Sequence, residues 1–293
     1  MSGVGVREAV PMMEDEDCAI VETQRRSLSE FESHGVCMNK VFDTLRRASG
    51  RLRRQAECTA NGLLFGFVYL RARRFKVPRR VVAAGKFIQL HYPPEAGVNS
   101  DFVACFIRND YGLRHRLQKV RTILDVGANV GFFSIAARGR YPHATIHTYE
   151  PNPRVLPFLR SNVQELEIGV NAEAVGTRDG FTSMMDAGPS NQARTSTSED
   201  GEIPQASFET AIQRLGGSVD LLKLDCEGAE WELFQLAECW KRIRNVRMEY
   251  HLFHGETFPQ VEAALHQLGF EVIHCQHDVG FGIVWATQLQ QSA

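Results

Sequence analysis

The segment Ile123-Leu124-Asp125-Val126-Gly127-Ala128-Asn129-Val130-Gly131-Phe132-Phe133-Ser134 limits what this chain can fold into more than any other stretch. Its apolar start is short enough for a buried strand. Two glycines then bound a turn in which the backbone can approach a ligand closely. A second apolar run ends in Tyr149-Glu150-Pro151-Asn152, with an acid at its tip. A strand, a glycine turn and a helix, followed by an acid after the next strand, form the pattern of a nucleoside-binding α/β sheet. The turn receives the polar part of the ligand, and the acid accepts hydrogen bonds from ribose hydroxyls.

The rest of the chain repeats that alternation. Strands are expected at Thr122–Val126, Thr145–Tyr149, about 169–175, Val219–Leu224, Val246–Tyr250, Phe270–His274 and Gly282–Ala286. Helices are expected from about Val130 to Arg138, from near Pro153, and at Ser207–Leu215, Ala229–Ala237 and Phe258–Leu268. Strands and helices at this spacing argue for a doubly wound, mostly parallel sheet. The polar stretch from Arg178 to about Pro204, broken by Gly188-Pro189, reads as a lid or substrate loop. Val81 to Leu90 reads as strand–turn–strand and Asp101–Arg108 as a short helix leading to Asp110-Tyr111-Gly112.

The domain plan follows from charge. Residues 1–38 are acidic and lack periodicity, so disorder is expected. Residues 39–80 form a basic, mostly helical extension rich in arginine, 81–287 the catalytic α/β domain, and 288–293 a tail. The net charge of −2 gives no global case for a polyanionic partner. A non-catalytic scaffold built on the same α/β fold is one minority reading, and the basic extension leaves a nucleic-acid arm as another. The apolar window Gly62–Leu70 beside it leaves peripheral membrane contact as another, since it is far shorter than the ~20 residues a bilayer needs. Seven cysteines without a C-x-x-C pair point to free thiols in a cytoplasmic protein.

The chemistry-bearing residues cluster at strand ends. A nicotinamide fingerprint needs a third glycine, and here Asn129 stands in the middle of the turn instead. Asn tolerates unusual backbone angles and adds an amide suited to a zwitterionic ligand. Asp125 is placed to orient an ammonium group and Glu150 to hold ribose. A cofactor combining an amino acid with a nucleoside fits both ends, and S-adenosylmethionine is that cofactor. The second constellation is Leu222-Lys223-Leu224-Asp225-Cys226-Glu227-Gly228-Ala229-Glu230. Lys223 and Asp225 share a strand face and can pair, and Glu227 follows at the turn. Glu249 and His251 share a face of the next strand. Asp225 or His251 is the expected general base, with Lys223 steadying charge on oxygen. No metal is assigned, although Asp225, Glu227, Glu249 and His251 could surround a divalent cation, and His274, Cys275 and His277 with His251 and His254 a zinc ion.

On these residues, with Ala174-Val175-Gly176 and Asp179-Gly180, the chain resembles the FkbM-type family of S-adenosylmethionine-dependent methyltransferases over roughly residues 80–287. The resemblance implies a Rossmann-like class I methyltransferase fold, a seven-stranded sheet with one antiparallel strand and helices on both faces. It implies O-methylation of a sugar, glycolipid or natural-product hydroxyl, so a small-molecule or glycan acceptor. By position, Asp125, Val126, Gly127, Ala128, Asn129, Gly131, Glu150, Pro151 and Asn152 would hold the cofactor. Ala174 and Val175 would lie near adenine, and Lys223, Asp225 and Glu227 near the transferred methyl.

Overall fold

The computed structural model describes residues 49–69, 75–115, 117–185, 194–196 and 201–289. The expectations for residues 1–38, for the start of the basic extension, for Gly188-Pro189 and for the end of the tail lie outside the described residues. The chain divides into two units, Met1–Ala56 and Glu57–Ala293. The second unit opens with the end of a helix, α1, at residues 49–64. Cys58 and Tyr69 join its core, with Phe65 and Phe67 packed against it. Part of the basic stretch is thus inside the compact unit, because its apolar side chains have a core to enter.

A hairpin of β1 (Arg80–Ala83) and β2 (Lys86–Gln89) comes next, as the sequence suggests. Helix α2 (Ala96–Phe102) runs into a π-helical segment, Val103–Arg108, which stops at Asn109 in a left-handed conformation. The main sheet then forms from β3 (Thr122–Val126), β4 (Thr145–Tyr149), β5 (Ile168–Asn171), β10 (Leu221–Leu224), β11 (Asn245–His251), β12 (Phe270–His277) and β13 (Phe281–Gln288). Its order is β12-β13-β11-β10-β3-β4-β5. The strands β11, β10, β3, β4 and β5 pair in parallel, and β13 lies antiparallel between β11 and β12.

The central strands are buried on both faces, which is why they read as unbroken apolar runs. Ile123 and Leu221 face one apolar cluster, and Leu124, Leu222 and Leu224 the other. The connecting helices are α3 (Phe132–Arg140), α4 (Leu156–Val163), α5 (Phe208–Gln213), α6 (Glu230–Leu233), α7 (Ala237–Trp240) and α8 (Phe258–Gln267).

Three boundaries differ from the sequence reading. Helix α3 starts at Phe132, because Gly131 sits at φ +87° and the helix cannot begin before it. The strand expected over 169–175 is two: β5 stays in the main sheet, while β6 (Ala174–Gly176) joins β9 (Ile203–Ser207), β7 (Gly180–Met185) and β8 (Arg194–Ser196) in a second sheet. The polar stretch therefore contains strands. Asp179 pins its start, accepting from the Ser207 amide (2.8 Å) and the Thr210 hydroxyl (2.9 Å). The helix expected over Ala229–Ala237 is the pair α6 and α7, since Leu236 leaves helical geometry between them.

Candidate functional site

A cavity of about 630 Å³ lies beyond the carboxyl ends of β3, β4, β10 and β11. Its cofactor end is built mainly from backbone. The Gly127 and Ala128 amides donate to the Tyr149 carbonyl at 3.0 and 3.1 Å, tying the turn to the end of β4. Gly127 has φ +75°, and a Cβ added there would lie 1.8 Å from the Asp225 carbonyl oxygen. Only glycine lets the ends of β3 and β10 touch at that point.

Asn129, at φ +47°, donates its amide to Glu150 Oε2 at 2.7 Å and its side-chain Nδ2 to Asp101 Oδ2 at 2.9 Å. Its Oδ1 is buried without a hydrogen-bond partner beside the cavity. Glu150 also accepts from the Asn152 amide at 2.8 Å. Burial pushes the Glu150 carboxyl up to about 7, with the two amides pulling back. Each carboxylate oxygen keeps a lone pair for a further donor. Tyr149, Pro151, Ala174 and Val175 form the adjoining wall.

These residues fit the methyl donor that the sequence suggests. The orphaned Asn129 oxygen can accept from the ammonium of an amino-acid moiety. Glu150 can accept from vicinal hydroxyls, and the Tyr149–Val175 wall can cover a purine. Val126, Gly127, Ala128, Asn129, Glu150, Pro151, Ala174 and Val175 all line the cavity. Three expected ligand residues stand off it. Asp125 is fully buried behind the turn, accepting from Ser134 Oγ at 2.6 Å and lying 3.7 Å from Lys223 Nζ, so it braces the lysine and does not line the cavity. Gly131 allows close packing of the turn against Leu159. Asn152 holds Glu150 through its amide and accepts from the Arg154 amide at 3.0 Å.

The opposite end is built from side chains. Lys223 Nζ donates to the Gly127 carbonyl at 2.5 Å and lies 3.1 Å from Asp225 Oδ2 and 3.3 Å from the Val126 carbonyl. Burial works against its charge, but the carboxylates of Asp225 and Asp125 outweigh it and hold the ammonium well above the usual lysine range. Its donors are all engaged. Lys223 therefore positions Asp225 and the turn, and has no free N–H to steady a substrate oxygen as the sequence reading expected. One ammonium between two carboxylates leaves the spot net negative, which suits a neighbouring sulfonium.

His251 lies against Glu230 (Nδ1–Oε1, 3.2 Å), Glu227 (Nε2–Oε2, 3.4 Å) and Glu249 (Nε2–Oε1, 3.8 Å). Burial disfavours its charge, yet the Glu230 hydrogen bond and the charges of Glu230, Glu227 and Asp225 prevail and raise it to about 9. At neutral pH it is an imidazolium without a lone pair to offer. A protonated imidazole is a poorer proton acceptor than the neighbouring carboxylate of Asp225. Its ring stacks with Phe253 (centroids 5.2 Å) and Phe281 (6.4 Å), both on the cavity wall.

Ligand atoms of Asp225, Glu249 and His251 come within 4.8 Å of one another, a spacing that could surround a divalent ion. Of these three, Asp225 also pairs with the Lys223 ammonium. His274 stacks on Trp285, and His277 Nδ1 bonds the Tyr250 hydroxyl at 2.7 Å; neither is grouped with His251 as a set of metal ligands among the described residues.

Sequence reasoning missed Asp101 and Tyr111. Both line the cavity, yet each comes from the segment before β3, where no periodic signal marked them. The Tyr111 hydroxyl lies 3.2 Å from Asp225 Oδ2 and 3.2 Å from Glu249 Oε2.

An open parallel sheet with one reversed strand, and a cavity at the strand ends between a glycine turn and a buried acid, define the fold of a class I S-adenosylmethionine-dependent methyltransferase. The Methyltransferase FkbM domain matches residues 125–272, and the chain belongs to that family. It is 30% identical over 194 residues to methyltransferase sdnD of Sordaria araneosa, covering 51% of this chain and 73% of that protein. It is 29% identical over 208 residues to the 31-O-demethyl-FK506 methyltransferase FkbM of Streptomyces tacrolimicus, covering 58% of this chain and 78% of that one. Among solved structures, fibrillarin of Aeropyrum pernix with natively bound S-adenosyl-L-methionine aligns with 57% of this chain and 66% of its own, at 16% identity and a TM-score of 0.39.

Proposed function

We propose that this methyltransferase modifies a hydroxyl oxygen of a small molecule or glycan: a sugar, a glycolipid or a natural product. The observation that supports this best is the far end of the cavity. There a single lysine-held carboxylate, Asp225, sits beside an apolar wall of Leu252, Phe253 and Phe281. A hydroxyl needs a nearby proton acceptor as it becomes an ether, and an organic body needs apolar cover. The relative named for 31-O-demethyl-FK506 supports the oxygen as target.

S-adenosylmethionine supplies an electrophilic methyl group on a sulfonium. The turn at Gly127–Asn129 and Glu150 would hold its two ends. Asp225, fixed by Lys223, takes the hydroxyl proton at its free Oδ1. Most of the rate comes from holding the reactants in line, and base assistance adds about 10²–10⁴-fold.

The free thiols of Cys58, Cys105, Cys226, Cys239 and Cys275 support a reducing, cytoplasmic setting. No helix among the described residues is long and apolar enough to cross a membrane. Exposed Leu63, Leu64, Val68 and Phe87 favour a second, weaker proposal of peripheral membrane contact, which flotation with anionic vesicles tests. The test of the main reading is methyl transfer from labelled S-adenosylmethionine to a panel of sugar, lipid and polyketide hydroxyls. A base-stable ether product is expected. Label found only in a base-labile ester or on nitrogen would overturn O-methylation, and salt-sensitive labelling of RNA or DNA would favour the basic arm instead.

A further inference from the structure

Tyr111 poses a problem of proton count. Its hydroxyl lies 3.2 Å from both Asp225 Oδ2 and Glu249 Oε2. A phenol has one proton to donate and lone pairs to accept with. With both carboxylates ionised, that one proton would be split between them in a weak three-centre contact, with two negative charges left close together in a buried site. Each contact becomes a full two-centre hydrogen bond when one carboxyl keeps its own proton and donates it to the tyrosine oxygen, which also removes one of the two adjacent charges. The tyrosine cannot swing away to escape this. Its ring packs edge-on against Phe133 (centroids 5.5 Å), and Lys223 Nζ sits 5.6 Å from the ring centroid. The adjoining Asp110 carbonyl accepts from Trp285 Nε1 at 2.6 Å, which anchors the loop to β13.

We infer that Glu249, Tyr111 and Asp225 form a proton-sharing chain, in which Glu249 holds the proton and donates to Tyr111, Tyr111 donates to Asp225, and Asp225 is the ionised member of the chain presented to the acceptor. Geometry decides which carboxyl is ionised. Asp225 Oδ2 has the Lys223 ammonium at 3.1 Å. Among the described residues Glu249 has His251 at 3.8 Å, and that imidazolium lies closer to Glu227 and Glu230. The stronger ion pair keeps Asp225 charged and the proton rests on Glu249.

The groups facing the chain agree with that order. Burial, then the charge of Asp225, pushes the Glu249 carboxyl up to about 8, with His251 and Lys223 opposing and Glu227 adding. Burial and the charges of Asp225, Glu249, Cys105 and Asp101 hold the Tyr111 phenol well above its usual range. The consequence for the proposed O-methylation, on whose reading the role rests, is that Asp225 has one free oxygen, Oδ1. An oxygen lone pair of the acceptor would form the new C–O bond as the methyl–sulfur bond breaks and leaves its electron pair on sulfur, while the O–H pair stays on oxygen and the proton passes to Asp225. Tyr111 is then a positioning residue, keeping the base aimed and singly ionised.

The chain can be tested without an acceptor. The probe is infrared titration of the ligand-free, full-length protein labelled with [13C]glutamate. A protonated-carboxyl stretch that shifts with the label and is lost near pH 8 is expected. Burial also raises Glu150, to about 7, so the relevant band is the part that Glu249→Gln removes. Tyr111→Phe, which keeps the ring, is expected to move that band by deleting the proton's acceptor. The chain is overturned if the wild-type protein shows no labelled band titrating near pH 8, or if the band survives in Glu249→Gln. It is also overturned if Tyr111→Phe, with native near-ultraviolet circular dichroism, leaves the band in place. Failure of the hydroxyl panel with these bands present would instead overturn the methylation reading alone.

Discussion

The two ends of the cavity are made differently. The cofactor end is a backbone device: a glycine that alone fits under the Asp225 carbonyl, amides aimed at Tyr149 and Glu150, and one acid. The acceptor end is a side-chain device. Tyr111 meets residues 114 and 138 positions away, and His251 meets one 21 positions away. The contrast teaches that the turn end depends mainly on backbone conformation, which a few glycine and asparagine positions set, while the acceptor end depends on side chains that only the formed sheet brings together.

Substitutions can break this contrast. Gly127→Ala should have the largest effect, because its methyl group would occupy the space of the Asp225 carbonyl and φ is positive. A loss of roughly 3–5 kcal/mol in urea unfolding, with no measurable cofactor binding, is expected. A stable, cofactor-binding Gly127→Ala protein would show that the turn is not a fixed backbone site. Lys223→Met should cost about 3 kcal/mol, because it strands the buried Asp125 carboxylate and unpairs Asp225. If its urea midpoint stays at the wild-type value, the lysine does not join the two ends.

Asp225→Asn sharpens the other half. It should lower turnover about 100-fold on any acceptor the panel identifies, with a smaller effect on stability. Unchanged turnover would return the base to another group. The smallest expected effect is on pH-dependent stability. Glu249 is raised from 4.5 to about 8 and His251 from 6.5 to about 9. Both groups then hold more protons folded than unfolded. Stability therefore falls as pH rises, for Glu249 from about 4.5 to about 8 and for His251 from about 6.5 to about 9. The ligand-free protein should lose roughly 1–2 kcal/mol between neutral pH and the upper end of that window. A thermal midpoint that rises instead would contradict the buried, proton-holding cluster.

The same contrast explains what the sequence reveals. β3 and β4 fall at the expected residues because both faces of each are covered, so the apolar run and the strand coincide. Gly127, Asn129 and Glu150 are legible because the turn's demands are local. Asp125 misleads for a physical reason: at a strand end an acid can point to the ligand or back into the sheet, and the buried Lys223 decides it. Tyr111 and Asp101 precede the sheet in unmarked segments, and only tertiary packing brings them in. His251 reads as a base from its ordinary pKa, until Glu227 and Glu230 surround it and hold its proton.

The most direct test of a backbone-built cofactor end and a side-chain-built acceptor end is calorimetric titration with S-adenosylhomocysteine, which carries no sulfonium charge. Wild type, Glu150→Ala and Asp225→Asn are compared at one pH. Glu150→Ala should weaken binding at least about 10-fold, since hydrogen bonds to a charged group are worth about 1.5–3 kcal/mol, and Asp225→Asn should weaken it less. Absence of binding by the wild-type protein, or a greater loss in Asp225→Asn than in Glu150→Ala, would contradict the division.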